Sequence, residues 1–176
     1  MAATPDGYAV TDNRGGDWAF DASGALVSFG RGPGTRVTRR HDAGRLVSLA
    51  HERGRSITLT WADDRVVAAT ASDGRHIEYA HDEGRLVAAS GPQGTRSYRW
   101  NAAGLVDRVT DGDGVHEATN TYDDLGRVAT QVSRHGRLTR FTYLPGRVTL
   151  VDDPDGSRSN TWIHDRQGRL VGVVDA

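Results

Sequence analysis

The sequence predicts an all-β protein made of tandem β-hairpins, and three observations support this fold class. A turn signal that contains Asp and Gly recurs at a nearly constant interval along most of the chain. Between the turns, apolar and polar residues alternate over short segments, as they do in half-buried strands. No segment keeps a helical periodicity over a useful length. Because a sheet of about sixteen strands must twist, we expect a curled, spiralling antiparallel sheet with two strands in each repeat.

Each repeat opens on an aromatic or histidine residue, which is called the lead residue below. The eight lead residues are Phe20, His41, Trp61, His81, Trp100, Tyr122, Tyr143 and His164. Successive lead residues are separated by 19 to 22 positions. We therefore assign residues 20–176 to about eight repeats, of which the last is truncated. Residues 1–19 form a lead-in segment that could supply an edge strand.

Two turn signals alternate within each repeat. The first is Asp-x-x-Gly, as in Asp21–Gly24 and Asp165–Gly168. Asp can accept a backbone N–H at the start of a type I turn, and Gly tolerates the left-handed exit. The second turn is predicted to be looser, although it also ends in Gly. Examples are 92–94, 111–114, 135–136 and 154–156.

The two strands of a repeat differ in their apolar pattern. In the strand before the first turn, alternation is strict, so that Ile57, Leu59 and Trp61 share one face. In the strand after it, aliphatic residues recur three positions apart, which does not fit alternation; a bulge in each repeat is one explanation. The pairs are Leu46 and Leu49, Val106 and Val109, Val148 and Val151, and Leu170 and Val173.

Composition narrows the function classes. The net charge of −1 argues against a dedicated nucleic-acid or acidic-lipid surface. The chain has no cysteine for disulfides, and no apolar run approaches the length of a membrane span. Residues 1–7 lack the basic and apolar parts of a signal peptide, so nothing in this chain is expected to export it by itself.

Candidate chemical sites have simpler structural explanations. His41, His81 and His164 fill lead positions, where they are expected to pack in place of an aromatic ring, and no His pair has metal-ligand spacing. Residues 111–114 and 152–156 resemble fragments of calcium loops, but turn chemistry explains both. No nucleophile motif is present, and the carboxylate pairs at 63–64 and 123–124 fall in turns. We predict no catalytic residue, no metal site and no cofactor.

Arginines that follow a turn glycine leave two interpretations open. Stacked at the repeat spacing, they could form a ladder that binds anionic glycans or phosphate. They could instead pair with Asp at a neighbouring turn, which the near-zero net charge favours. The arginines are Arg45, Arg85, Arg127, Arg147 and Arg169. The four tryptophans could stack on sugars, but packing is favoured because three of them lie at or near lead positions. They are Trp18, Trp61, Trp100 and Trp162.

The segments Tyr-Asp-Asp-Leu-Gly-Arg-Val (122–128) and His-Asp-Glu-Gly-Arg-Leu-Val (81–87) resemble the RHS/YD-repeat family. That family includes bacterial Rhs and polymorphic toxins, the Tc toxin cocoon, wall-associated proteins and teneurins. The resemblance implies a β-sheet shell that encloses a toxic C-terminal polypeptide. The family's self-cleaving core carries paired Asp-Pro-x-Gly elements. Here a single Asp-Pro occurs, at Asp153-Pro154, so the core and the toxin are not expected within these residues.

These observations predict a non-enzymatic structural segment of an Rhs-type shell. Its expected partners are the rest of the parent shell and the enclosed toxin polypeptide, without nucleic acid or membrane. The parent is expected to be a secreted or cell-surface bacterial protein. The alternative is a module of a wall-associated protein that binds carbohydrate or a cell surface. Open sheet edges predict self-association, unless the residues before Phe20 cover one edge.

Overall fold

Every regular element of the protein is a β-strand. The computed structural model describes residues 2–155 and 159–175, and within these ranges it contains 18 strands of one antiparallel sheet. None of these residues forms a helix that could cross a membrane. The predicted all-β, antiparallel fold class is confirmed. The predicted curl of the sheet stays a prediction.

The chain divides into two compact units. The first comprises Met1–Ala80 and Ser90–Pro92, and the second His81–Ala89 and Gln93–Ala176. Consecutive strands of the first unit pair antiparallel from β1 to β9. These strands are β1 (Ala2–Thr4), β2 (Gly7–Thr11), β3 (Gly16–Asp21), β4 (Leu26–Arg31), β5 (Val37–Asp42), β6 (Arg45–His51), β7 (Ser56–Ala62), β8 (Arg65–Ala71) and β9 (His76–Asp82), which extends just past the unit.

The second unit repeats the same arrangement. Its strands pair consecutively and antiparallel from β11 to β18. The strands are β10 (Arg85–Gly91), β11 (Gly94–Trp100), β12 (Val106–Thr110), β13 (His116–Tyr122), β14 (Val128–Ser133), β15 (Leu138–Leu144), β16 (Val148–Asp152), β17 (Ser159–His164) and β18 (Leu170–Asp175).

The lead-in segment adds two strands to the sheet. β1 pairs with β2 through Ala2 and Ala9, and β2 pairs with β3 through Tyr8 and Phe20. β2 therefore lies beside β3, of which residues 16–19 of the lead-in segment form the first part. The boundary after residue 19 between lead-in and repeats stays a prediction, because the two compact units divide the chain elsewhere.

The first turn of a repeat takes one of two forms. In the four-residue form, the Asp21 amide donates to the Ala25 carbonyl oxygen at 2.9 Å, and Asp21 Oδ1 accepts the amides of Ser23 and Ala25. Gly24 closes this turn at φ 85°. Equivalent turns begin at Asn101, Asp123 and Asp165.

The second form is tighter, and here the Asp-x-x-Gly prediction is wrong. Asp42 pairs directly with Arg45, and both residues between them are left-handed, Ala43 at φ 47° and Gly44 at φ 78°. Left-handed residues at both central positions characterise a type I′ hairpin, whose twist matches that of the strands. The sequence has one residue fewer here between Asp and Gly, which leaves no room for the longer turn.

Four of the second turns, those that begin at His51, Ala71, Asp111 and Ser133, are as regular as the first turns, contrary to expectation. In the turn that begins at Asp111, its amide donates to the Val115 carbonyl oxygen at 2.9 Å and the Gly114 amide donates to Asp111 at 3.1 Å. The turn that begins at Ala71 closes in the same way, although alanine has no side-chain acceptor. A capping side chain at the first position is therefore not required, although Asp73 Oδ1 accepts the Arg75 amide at 3.1 Å within this turn. The proposed turn residue Gly156 lies outside the described residues.

In most repeats, a bulge explains why aliphatic residues recur three positions apart. His41 pairs with Leu46, whereas Arg40 pairs with Ser48, so Val47 is an extra residue. Leu46 and Leu49 consequently lie on one face. The same shift occurs in six hairpins, at the lead residues Phe20, His41, Trp61, Trp100, Tyr122 and His164.

The hairpin at Tyr143 is an exception to the predicted bulge. Tyr143 pairs with Thr149 and Leu144 with Val148 without a register shift. The turn itself accommodates the additional residue, with Arg147 at φ 64°. By strand alternation, Val148 and Val151 then face opposite sides, so the bulge expected from their spacing is wrong for this repeat.

Burial is shallow throughout the described chain. Ala68 is the one hydrophobic residue that counts as buried, at 8% exposure, and no described side chain is fully buried. The lead residues are half-buried. Each hairpin therefore depends on contacts with its neighbours rather than on a common core, as in other repeat proteins.

Turn-capping carboxylates predict a specific acid sensitivity. Backbone N–H groups, first of all that of Gly16, lower the pKa of Asp12, and the Ser23 hydroxyl and the Ala25 amide lower the pKa of Asp21. A lowered folded-state pKa gives stability that is present above the ordinary value and is lost as pH falls through the folded value. An Asp12→Asn, Asp21→Asn variant should therefore lose less thermal stability than the parent between about pH 5 and pH 2.

Asparagine keeps the Oδ1 acceptor, as Asn101 does when it accepts the Leu105 amide at 3.0 Å. The matched control is Asp113→Asn, since the Asp113 carboxylate accepts no hydrogen bond among the described residues. Thermal unfolding followed by circular dichroism across this pH range measures the effect. If the melting temperatures of the parent and of the double variant fall equally as the pH is lowered, the assignment is wrong.

Candidate functional site

Four of the lead residues connect their repeat to the one before it. Trp61 Nε1 donates to the Leu46 carbonyl oxygen at 2.8 Å, and Trp100 Nε1 donates to that of Leu86 at 2.8 Å. The Tyr143 hydroxyl donates to the Val128 carbonyl oxygen at 2.9 Å. The Tyr122 hydroxyl donates in the same way to Val106. Four lead residues thus make the same hydrogen bond to a backbone carbonyl 14 to 16 residues earlier.

Three of the four accepting carbonyls are shown to lie at bulges. Leu46 pairs with His41, Val106 with Trp100 and Val128 with Tyr122, and in each case the next residue along the chain is the extra one. A bulge interrupts the regular ladder of backbone hydrogen bonds. The side chain of the following lead residue supplies a donor at this interruption, so that consecutive repeats are joined by a specific bond.

An arginine lies over one face of three lead rings. The guanidinium carbon of Arg45 lies 5.6 Å from the centroid of the Trp61 ring, and that of Arg85 lies 5.8 Å from Trp100. Arg127 lies closest, at 4.2 Å from Tyr143. Such contacts contribute about 0.5–1 kcal/mol each at exposed sites. Burial raises the pKa of the Tyr143 phenol, and the nearby Arg127 charge partly offsets this effect.

Most arginines of the hypothetical ladder have carboxylate partners. Arg45 lies 2.5 Å from Asp64, Arg127 lies 2.7 Å from Asp123, and Arg169 lies 2.7 Å from Asp165. The hydrogen bond from the Arg127 side chain is the largest cause of the lowered pKa of Asp123. This arrangement favours the interpretation that the arginines pair with carboxylates at turns over the interpretation that they form a free ladder for anions.

Histidines at lead positions make a different contact. The His164 amide donates to the Arg147 carbonyl oxygen at 3.0 Å, while its ring Nδ1 lies 3.4 Å from the same oxygen. The His41 and His81 side chains are half-buried, like the lead tryptophans. That histidine packs in place of an aromatic residue stays a prediction.

Trp18 and Trp162 lie two residues before a lead residue, on the same face of their strands. Trp18 pairs across the sheet with Phe29, and Trp162 pairs with Val173. Both are half-buried. These neighbours are apolar, as expected for packing; whether either ring also stacks on a sugar is not decided by this geometry.

The sequence segments that resemble calcium loops serve as turns. Asp111 Oδ1 accepts the amides of Asp113 and Val115, and Asp153 binds Arg137 at 2.9 Å. Within residues 2–155 and 159–175, no group of three His, Asp or Glu side chains is arranged to hold a metal ion. Asp63 and Asp64 lie in a hairpin turn, where Asp63 is left-handed and Asp64 pairs with Arg45. The absence of catalytic, metal and cofactor sites stays a prediction for the chain as a whole.

Sequence reasoning missed the bond between repeats, although a signal for it exists. The lead positions were recognised, and packing was assigned to them. The carbonyl acceptor follows the arginine in Gly-Arg-Leu or Gly-Arg-Val segments, such as 44–46 and 126–128. All lead residues except Phe20 carry a polar hydrogen that could reach such an acceptor. Backbone acceptors leave no pattern of their own in a sequence.

The bond between repeats predicts the effect of an isosteric change. Tyr143→Phe removes the hydroxyl and leaves the Val128 carbonyl without this donor, so the variant should be less stable by about 1 kcal/mol. The matched control is Tyr79→Phe, because Tyr79 lies two residues before a lead position and its hydroxyl has no partner among the described residues. Urea unfolding midpoints of both variants measure the difference. Equal midpoints for the two variants would refute the assigned role.

The comparisons with known proteins agree with this geometry. The model of the family described as Teneurin YD-shell matches residues 11–176. No curated protein matches the chain. Among solved structures, a crystal structure of TcdB2-TccC3 without its hypervariable C-terminal region aligns with a TM-score of 0.52 at 13% identity. The alignment covers 96% of this chain and 12% of that one.

Two further structures are similar over most of this chain. A TcdB2-TccC3-Cdc42 structure has a TM-score of 0.44 at 11% identity, and it covers 92% of this chain and 12% of its own. A Photorhabdus luminescens Tc holotoxin pore has a TM-score of 0.37 at 12% identity, with the same coverage of 92% and 12%. The chain therefore spans about an eighth of these proteins. With a family model that matches nearly its whole length, the chain belongs to the Teneurin YD-shell family.

Proposed function

We propose that this chain is a structural segment of an Rhs-type shell that encloses a C-terminal toxin polypeptide, and that it performs no chemistry itself. The observation that carries the proposal is the hydrogen bond that four lead side chains donate to a backbone carbonyl of the preceding repeat, because the same bond can join one hairpin repeat after another. Membership of the YD-shell family supports a shell, the similarity to TcdB2-TccC3 supports the repeat fold, and the toxin as its contents follows from the resemblance of the repeats to those of Rhs toxins.

The shell's location and partners follow from the same proposal. The parent protein would be secreted or displayed at a bacterial cell surface. The remaining repeats of that parent would be this chain's first partners, and the enclosed polypeptide would be the second. The fraction of the relatives that this chain covers, 12%, is consistent with a segment of a much larger wall.

Protease protection in the full-length gene product tests the proposal. Proteinase K should leave the polypeptide beyond the repeats intact while the wall is closed. Replacing Trp61, Trp100 and Tyr143 with Ala should remove this protection, because three of the bonds between repeats are lost. Replacing Tyr8, Tyr79 and Tyr98 with Ala is the control, since these aromatics are not lead residues. If the polypeptide is digested equally fast with and without the lead residues, it is not enclosed.

The alternative function is recognition of a carbohydrate or cell-surface partner, as in wall-associated relatives. Arg85 is the observation in its favour, since it covers Trp100 without an ion pair among the described residues. Arg45, Arg127 and Arg169 each form an ion pair with a carboxylate, and this neutralisation of their charge argues against the recognition of an anionic partner. Saturable heparin binding by the isolated chain that disappears in an Arg45, Arg85, Arg127→Ala variant would favour recognition over a purely structural role.

The last strand predicts self-association of the isolated chain. Four aliphatic residues of β18 are each more than half exposed: Leu170 at 52%, Val171 at 63%, Val173 at 51% and Val174 at 56%. Exposed apolar edge strands pair with other strands, and a lysine on such a strand prevents the pairing. The sedimentation coefficient should therefore rise with concentration, and Val171→Lys, Val174→Lys should abolish the rise.

Leu125→Lys is the control for this experiment. Leu125 is 76% exposed, but it lies in a turn, where the backbone cannot extend a sheet. This variant should associate like the parent. A parent that sediments as a monomer at all concentrations would refute association through β18.

A further inference from the structure

A groove of about 460 Å³ lies across the first unit, from β4 to β8. Its apolar floor is formed by Phe29, Val37, Leu49, Ile57 and Ala71. Its polar rim is formed by His51, Arg55, Ser56, Ser72, Asp73 and Arg75. No lead residue contributes to the groove, so it is separate from the bonds that join the repeats.

The floor is continuous because the strand registers align its members. Val37 pairs with Phe29 on one side and with His51 on the other. Ile57 likewise pairs with Leu49 and with Ala71. Ile57 is 42% exposed, which is unusual for a large aliphatic residue at the centre of an apolar surface. Its exposed surface is accessible to a ligand.

The rim carries a net positive charge. Arg75 is held by Asp73, at 2.7 Å. The Arg55 guanidinium has no hydrogen bond or ion pair within the described parts of the chain. His51 Nδ1 accepts the Arg53 amide at 3.1 Å, so a neutral His51 ring carries its proton on Nε2. Arg55 and His51 therefore both offer donors at the edge of an apolar floor.

We propose that this groove binds an extended polypeptide segment with alternating aliphatic side chains and an acidic residue next to them. The five strands span about 19 Å at a spacing of about 4.8 Å. Side chains on one face of an extended peptide recur every 6.6–6.8 Å or so, which places about three of them over the floor. A carboxylate beside them can take a charge-assisted hydrogen bond from Arg55.

Other ligand classes fit the groove less well. The floor has a single aromatic ring, Phe29, and offers no broad platform on which a sugar could stack. A lone alkyl carboxylate would match the charge but would leave much of the 19 Å or so of floor uncovered. The proposal concerns the surface of the first unit alone, and it does not rest on the proposed shell function.

Fluorescence anisotropy with the full chain tests this binding. The probe is a fluorescein-labelled peptide LSVSLDD with an amidated C-terminus, and LSVSLNN is its uncharged counterpart. We expect saturable binding of LSVSLDD and weaker binding of LSVSLNN. Arg55→Ala should weaken the binding of LSVSLDD by about five- to tenfold, since it removes a charge-assisted bond, and should leave that of LSVSLNN almost unchanged.

Matched aliphatic substitutions distinguish specific binding in the groove from nonspecific hydrophobic binding elsewhere on the chain. Ile57→Thr keeps the β-branched shape and should weaken binding of both peptides several-fold. Ile77→Thr is the control, since Ile77 has a similar exposure of 38% but does not line the groove. Circular dichroism confirms that each variant is folded before it is titrated.

Three results would overturn the proposal. The first is the absence of saturable binding of LSVSLDD to the folded parent chain. The second is an equal loss of binding in Ile57→Thr and Ile77→Thr, which would place the peptide elsewhere. The third is a competition in which decanoate displaces the peptide at a concentration below that of the peptide, and in which this displacement requires Arg55. Such a result would assign the groove to a lipid-like carboxylate.

Discussion

The hydrogen bond from a lead side chain to the bulge carbonyl of the preceding hairpin is the interaction on which the rest of the structure depends. The described chain has no fully buried side chain, so no common core can hold the hairpins in register. Trp61 and Tyr143 show how the register is set instead, because each reaches a single carbonyl 15 residues earlier. A slip of one residue would turn the lead side chain to the other face and break this bond.

The turns make that interaction repeatable. A left-handed glycine reverses the chain in nearly every hairpin, and a capping Asp or Asn adds a second constraint where one is present. Arginines that follow the turns then cover the lead rings while they pair with carboxylates, as Arg127 does with Tyr143 and Asp123. Several arginines thus pair with a carboxylate close by, while the net charge of −1 reflects the 22 basic and 23 acidic residues of the sequence.

In the described residues, this organisation leaves most side chains half-buried or exposed on the sheet. The last strand exposes four aliphatic side chains, and several carboxylates cap turns or form ion pairs, as Asp123 and Asp165 do. These features suit a wall that is extended by further hairpins. They also leave local apolar grooves, of which the one around Ile57 has an uncompensated arginine beside it.

The sequence by itself determined the strands, the positions of the turns and the lead positions, because alternation, glycine placement and repeat spacing are local properties; the tight form of the hairpin turn at Asp42 was not among them. It also indicated the bulges, through Leu46 and Leu49, whose spacing only an extra residue can place on one face. The tertiary structure alone decided which carbonyl each lead side chain binds, which carboxylate each arginine meets, and that Val148 and Val151 lie in a hairpin without a bulge. Those outcomes depend on the register between strands that are 15 to 20 residues apart, and backbone acceptors that are chosen by register carry no residue-specific signature.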